Sequence, residues 1–364
     1  QKLSELPTVD NIHVGEETMR EILNRRGIVK SADELHGLAC DFLAETAATV
    51  EALRAKLVQK YHLPENSSAA ELHQWLNERF RLQVDGDFDR VLRAYDDERQ
   101  SVLNFCEARK LFPIFPEQSI QILRTPTFMA PSIPAGAMMP APAFREGVRT
   151  SLVYLTLSEE LLDEHTQLSI PNMMIHEGTP GHHLQYASAS RHPSVIRRHS
   201  NCLDHAEGWT TMLEDYILDL GYAGELSDEV RFCAKRDISR LGARVAIDLF
   251  FMSGNRKYLD VGVDCDLSPE DPFEVAANLL VAVTGFVPER AQAELNWYSV
   301  ERAYPLSYLA GNSAVWDLKK RLREANRGKL EGLELDRRFH EIYLNEGSMP
   351  VSFLNDVFAE RGVL

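Results

Sequence analysis

His176-Glu177-Gly178-Thr179-Pro180-Gly181-His182-His183 is the stretch on which the reading of this chain turns. Three imidazoles and one carboxylate fall within eight residues, and Glu207-Gly208-Trp209 follows about one helix later. Neutral imidazole and carboxylate are the ligands that a catalytic zinc takes. A glutamate directly after the first histidine stands where zinc peptidases keep their general base. The stretch therefore points to a metal-dependent hydrolase.

The spacing carries a structural demand. In the common arrangement, His-Glu-x-x-His, the two histidines lie on one face of a helix. An unbroken helix rising about 1.5 Å per residue would separate His176 from His182 by roughly 9 Å along its axis. His183 would share the face of His176 but sit further away. Neither pair suits Zn–N bonds of about 2.1 Å, so the helix has to bulge or restart inside the motif. Gly178-Thr179-Pro180-Gly181 is suited to that, because glycine is a poor helix residue and proline cannot donate a backbone hydrogen bond. Thr179 is expected to cap the restarted helix with Pro180 at its first position. Spacing alone leaves His182 and His183 both open as the second ligand.

Outward from the motif the chain reads mainly as helix. Between Ser31 and Tyr61 the apolar residues Leu35, Leu38, Phe42, Leu43, Ala47, Val50, Leu53 and Leu57 recur at three- and four-residue spacing, and Ser31 with Glu34 resembles a capping box. Further helices are expected at Ala69–Phe80, Phe88–Leu111, Pro171–Glu177, His182–Ser190, His205–Leu220, Ser227–Phe251, Pro272–Val283, Pro288–Ser299, Tyr304–Gly328 and Arg337–Leu344. Ser119–Leu123 and Thr150–Leu157 alternate like strands. Thr125–Phe144, with Pro126, Pro131, Pro134, Pro140 and Pro142, reads as a long loop. These elements predict a helical N-terminal lobe over 1–115 and a catalytic region over 116–364, with a small sheet beside the active-site cleft.

Bulk composition excludes several alternatives. The chain has 364 residues, 44% hydrophobic and 26% charged, which is ordinary for a globular protein with a sizeable core. A formal net charge of −16 argues against nucleic acid and anionic membranes as partners. No apolar run reaches the length of a membrane span. Gln1-Lys-Leu-Ser-Glu lacks the features of a signal peptide, although the missing initiator Met leaves upstream sequence open. Cys40, Cys106, Cys202, Cys233 and Cys265 are scattered and odd in number, so a cytoplasmic, reducing setting is expected.

The motifs together resemble a known family. His176–Gln185, Glu207–Trp209, Leu306-Ser-Tyr-x-x-Gly311 and Phe339-His-x-x-x-Leu-x-x-Gly-x-x-Pro350 look like the bacterial family called domain of unknown function 885. The resemblance implies a mainly α, zincin-like metallopeptidase fold. A more distant similarity is to the thimet oligopeptidase family, whose zinc helix holds a Gly-His pair and whose third ligand is a Glu about one helix later. There that Glu is followed, after two residues, by Ser-Gln-Met-Leu-Glu, which Glu207-Gly-Trp-Thr-Thr-Met-Leu-Glu214 resembles. Aligning the Gly-His pairs favours His182 over His183 as the second ligand. The same resemblance implies an oxyanion-stabilising tyrosine, best matched by Tyr308, with Tyr304 and Tyr298 as weaker candidates. One segment departs from the family: Trp297-Tyr298 and Arg302-Ala303-Tyr304 stand where Arg-Tyr and Pro-Gly-Gln are usual, and Pro305-Leu-Ser-Tyr308 where Ala-Leu-Ser-Tyr is, so the substrate is expected to differ.

The resulting expectation is one Zn²⁺ per chain held by His176, His182 and Glu207, Glu177 as general base and Tyr308 on the oxyanion. His183, His205 and Glu214 would orient ligands, and Tyr304, Tyr298 and Arg302 would contact substrate. Thr150–Leu157 would pair with an extended peptide or amide-like substrate, and Thr125–Phe144 would cover the cleft. The alternatives are a specialised metalloenzyme acting on a small non-peptide substrate in a biosynthetic pathway, and a non-catalytic binding protein.

Overall fold

The computed structural model describes residues 11–364 apart from 85, 131, 132, 134, 135, 160, 161, 163 and 164. The reading of the first residues as free of a signal peptide, and four positions of the Pro-rich stretch, lie outside them. Helices α1 (Glu16–Arg25), α2 (Ala32–Lys60), α3 (Ala69–Arg79) and α4 (Asp89–Arg109) precede strands β1 (Gln118–Arg124), β2 (Gly136–Met139) and β3 (Arg149–Leu155). Then follow α5 (Ser169–Glu177), α6 (His182–Ala189), α7 (Val195–His199), α8 (Leu203–Asp219), α9 (Ser227–Ile238) and α10 (Arg240–Ser253). The chain closes with α11 (Pro272–Thr284), α12 (Pro288–Val300), α13 (Ser307–Ala325), α14 (Gly332–Asn345) and α15 (Val351–Glu360). The fold is thus mainly helical with one small three-stranded sheet. No helix among the described residues is long and apolar enough to cross a membrane.

The chain divides into two compact units, and each draws on two stretches of sequence. One comprises Gln1–Ala47 with Asp237–Leu309, the other Ala48–Arg236 with Ala310–Leu364. The first unit is built on α10, every residue of which from Leu241 to Met252 is buried. The Asp248 carboxylate is fully enclosed there and accepts from the amides of Ala303 and Leu306, each at 3.2 Å. The reading of Ser227–Phe251 as one helix is corrected: the helix breaks at Ser239, whose hydroxyl donates to the Val283 carbonyl at 3.3 Å.

The second unit carries the motif. A large apolar core joins Val91, Tyr95 and Val102 of α4 to Ile170, Met174 and Ile175 of α5, Trp209, Met212 and Leu213 of α8, and Phe339, Tyr343 and Phe358 of the last two helices. The sheet runs in the order β1-β3-β2, with β1 parallel and β2 antiparallel to β3. Ser151, Val153 and Leu155 alternate inward from β3, the period-2 pattern of a half-buried strand. Two expectations fail here. β3 is the central strand, with both edges already paired, so it cannot add a substrate strand. The Pro-rich stretch is not all loop, because Gly136–Met139 forms β2; pairing with β3 imposes the strand on residues of modest β propensity. The capping box at α2 is present: Glu34 N donates to Ser31 Oγ at 3.2 Å and Ser31 N to Glu34 Oε2 at 2.8 Å.

Candidate metal centre

The helix carrying the motif stops and restarts, as the spacing requires. α5 ends at Glu177 and α6 begins at His182, with a turn between them that contains a cis Thr179-Pro180 bond. The expected capping is corrected. Gly181, not Thr179, occupies the N-cap, no side chain caps α6, and Pro180 precedes the helix. The turn folds back against the end of α5 so closely that a Cβ on Gly181 would overlap the carbonyl oxygens of His176 and Ile175. Only glycine fits there. Trp209 Nε1 donates to the Pro180 carbonyl at 2.9 Å and fastens the turn to α8.

Three donor atoms then converge. His182 Nε2 lies 3.2 Å and His176 Nε2 3.6 Å from Glu207 Oε2, and the two imidazole rings stand edge to face at 4.8 Å. His182 and Glu207 are buried and His176 is nearly so. These separations exceed those of a charge-assisted hydrogen bond, about 2.7–2.9 Å. They match the edge of about 3.4 Å expected of a tetrahedron whose arms are about 2.1 Å long. The atoms therefore face a common point more than they face one another. Two imidazole nitrogens and one carboxylate oxygen, buried and convergent, fit a zinc ion by donor chemistry and by spacing.

A second carboxylate braces the first histidine. Glu207 and Glu214 lie seven residues, about two helical turns, apart on one face of α8. Glu214 Oε1 accepts from His176 Nδ1 at 2.7 Å, and Glu214 Oε2 accepts from Asn172 Nδ2 at 3.0 Å. In the neutral form with its proton on Nδ1, His176 would present the Nε2 lone pair towards Glu207. Burial would pull the His176 imidazolium down, but the carboxylates of Glu207 and Glu214 outweigh it and carry it up to about 10. Burial would raise Glu207, but the imidazoles of His182 and His176 hold it below the ordinary carboxylate range. The centre is thus a buried cluster of two imidazoles and two carboxylates in which neighbours shift the protonation of His176 and Glu207.

The other sequence candidates separate. His183 turns away from the centre and bonds Ser151 Oγ of β3 at 2.8 Å, pinning α6 to the sheet; burial pushes it down to about 4. His205, also lowered to about 4 by burial, bonds the Met349 carbonyl through Nδ1 at 3.0 Å. Glu177 is half-buried at the last position of α5, and its carboxylate makes no hydrogen bond among the described residues. Tyr298, Arg302, Tyr304 and Tyr308 belong to the first unit. Tyr298 is buried between Arg244 Nε at 2.9 Å and Glu294 Oε2 at 2.6 Å, and Arg302 Nη2 donates to the Ile12 carbonyl at 2.6 Å. Both are built into that unit's own structure. Tyr308 packs under the Arg244 guanidinium at 4.6 Å and beside Tyr304 at 5.8 Å. Sequence reading missed Asn172, although its place four residues before His176 puts both on one helix face.

No curated protein matches the sequence. Among solved structures, a candidate lipoprotein from Colwellia psychrerythraea superposes with a TM-score of 0.79 at 17% identity, over 99% of this chain and 58% of that one. A candidate lipoprotein of unknown function from Shewanella oneidensis superposes with a TM-score of 0.76 at 18% identity, over 96% of this chain and 61% of that one. The fold is therefore shared, and this chain spans about three fifths of either relative. A family of bacterial proteins of unknown function, DUF885, matches residues 5–357, and the chain belongs to that family.

Proposed function

We propose that this protein is a zinc-dependent hydrolase of peptide or amide bonds on a zincin-like scaffold, with His176, His182 and Glu207 holding one zinc per chain. The observation that carries the reading is that both Nε2 atoms lie near tetrahedral-edge distance from Glu207 Oε2, at 3.2 and 3.6 Å, with the three donor atoms all within 4.8 Å of one another. Three protein ligands leave a fourth position open, the pattern of catalytic rather than structural zinc. Bound there, zinc would lower the pKa of water towards about 7 and polarise a carbonyl oxygen.

The chain's own residues supply the rest. Glu177 directly follows His176, and its carboxylate is not engaged elsewhere among the described residues, so it can take a proton from the attacking water and deliver it to the leaving amine. Glu214 keeps the His176 proton on Nδ1 and the imidazole in its ligating orientation. The oxyanion role of Tyr308 rests on the family resemblance.

Elemental analysis of the purified protein should find one zinc per chain. Glu207→Ala should lose most of it. Glu177→Gln should retain zinc and lose about 10²–10⁴ in kcat on cleavable substrates drawn from a peptide and amide library. Absence of stoichiometric zinc overturns the metal assignment; wild-type turnover in Glu177→Gln overturns the base.

A further inference from the structure

We propose that Asn172 is a positioning residue for this centre: acting through Glu214, it holds the His176 imidazole with Nε2 turned towards Glu207. The inference rests on the reading of His176 as a ligand. Asn172 and His176 are four residues apart on α5 and stand one above the other. The Glu214 carboxylate spans both, with one oxygen on each side chain, at 3.0 Å and 2.7 Å. A carboxylate held by one oxygen can rotate about its last torsion, which is broad and roughly two-fold. The second bond, to Asn172, removes that freedom and sets the plane in which the imidazole is held.

The orientation of the amide follows from the same contact. A carboxylate only accepts, so the asparagine must present Nδ2 to it. Its Oδ1 is buried and makes no hydrogen bond among the described residues. A buried acceptor without a partner is unfavourable, and a leucine of similar size would fill the space without that cost. Packing therefore does not account for an asparagine here, whereas donation to Glu214 does. The sequence expresses the device as Asn-x-x-x-His-Glu on one helix and Glu-(x)₆-Glu on the other.

Two near-isosteric variants of the full chain test it. Asn172→Leu removes the donor, and Asn172→Asp replaces it with a like charge facing Glu214. Zinc affinity, measured by competition with a chelating dye, should weaken about 10–100-fold in both, the effect usual for loss of a group that orients a ligand. The second readout is the downfield Nδ1–H proton resonance of His176 in zinc-free protein, identified by its loss in His176→Asn. It should be sharp in the wild type and broadened or lost in both variants, with circular dichroism unchanged. Affinity within about twofold of wild type together with an unaltered resonance overturns the proposal. If the wild type binds no zinc, the functional reading falls, while the resonance still decides the role of Asn172.

Discussion

His182 and His183 are neighbours in the chain with opposite duties. The first turns its Nε2 to Glu207 at 3.2 Å, and the second is held by Ser151 at 2.8 Å against the sheet. Their alanine variants should therefore fail differently. His182→Ala should lose zinc while the metal-free protein keeps its stability. His183→Ala should keep a full equivalent of zinc but lose about 2–4 kcal/mol of stability, since it leaves a cavity and an unpaired buried hydroxyl. Zinc content and urea denaturation on both proteins check this, and zinc loss on removing His183 instead would reverse the ligand assignment.

Among elements, α8 carries most of the consequence. It brings Glu207 and Glu214 to the centre, holds the motif's turn through Trp209, and crosses α13 at Gly208 and Gly311. A Cβ on Gly208 would stand 2.5 Å from the Gly311 carbonyl carbon, so the two backbones touch. At the N-terminus of α8, the Asp204 carboxylate caps another helix by accepting from Val351 N, the first residue of α15, at 2.8 Å. Gly208→Ala should force the two helices apart and destabilise the protein by about 2–3 kcal/mol. Because Glu207 is its neighbour, zinc affinity should fall too. Urea melts with and without zinc separate these effects; unchanged melts would mean that the helices separate without cost.

For the whole molecule, the buried histidines set the response to acid. Burial lowers His183 and His205 to about 4 and drives His340 well below the usual imidazole range. In each case the unfolded chain binds a proton first. Their contribution is thus complete above about pH 6.5 and is lost as pH falls towards 4, at up to about 1.4 kcal/mol per pH unit each. Two buried aspartates act the other way. Burial raises Asp204 to about 6 and Asp248 to about 7, so the cost of ionising them is relieved as pH falls through those values towards 3.8. Asp248→Asn does not titrate and keeps an acceptor for only one of the two amides that the carboxylate oxygens accept from, so it should be less stable near neutral pH and its stability should fall more steeply between pH 7 and 4.5. Denaturant unfolding at half-unit pH steps measures both slopes, and parallel slopes would exclude Asp248 as a titrating group.

The spacing of His176 and His182 called for a broken helix if both were to reach one ion, because helical rise is a property of the backbone, and the helix does break there. Apolar periodicity was likewise enough to place α2 near its observed position, Ala32–Lys60, since one stripe of its residues is buried. What the local pattern did not contain was settled between distant segments. β2 is a strand because β3 pairs with it, and α15 starts where Asp204, 147 residues earlier, meets its first amide. The helix read over Ser227–Phe251 is interrupted where Ser239 reaches Val283. The family resemblance had favoured His182 over His183; their separate contacts with Glu207 and Ser151, and the place of Asn172, waited on tertiary structure. A residue's type and spacing state which bonds it can make; only the folded arrangement brings a partner within 3 Å of one candidate and turns its neighbour elsewhere.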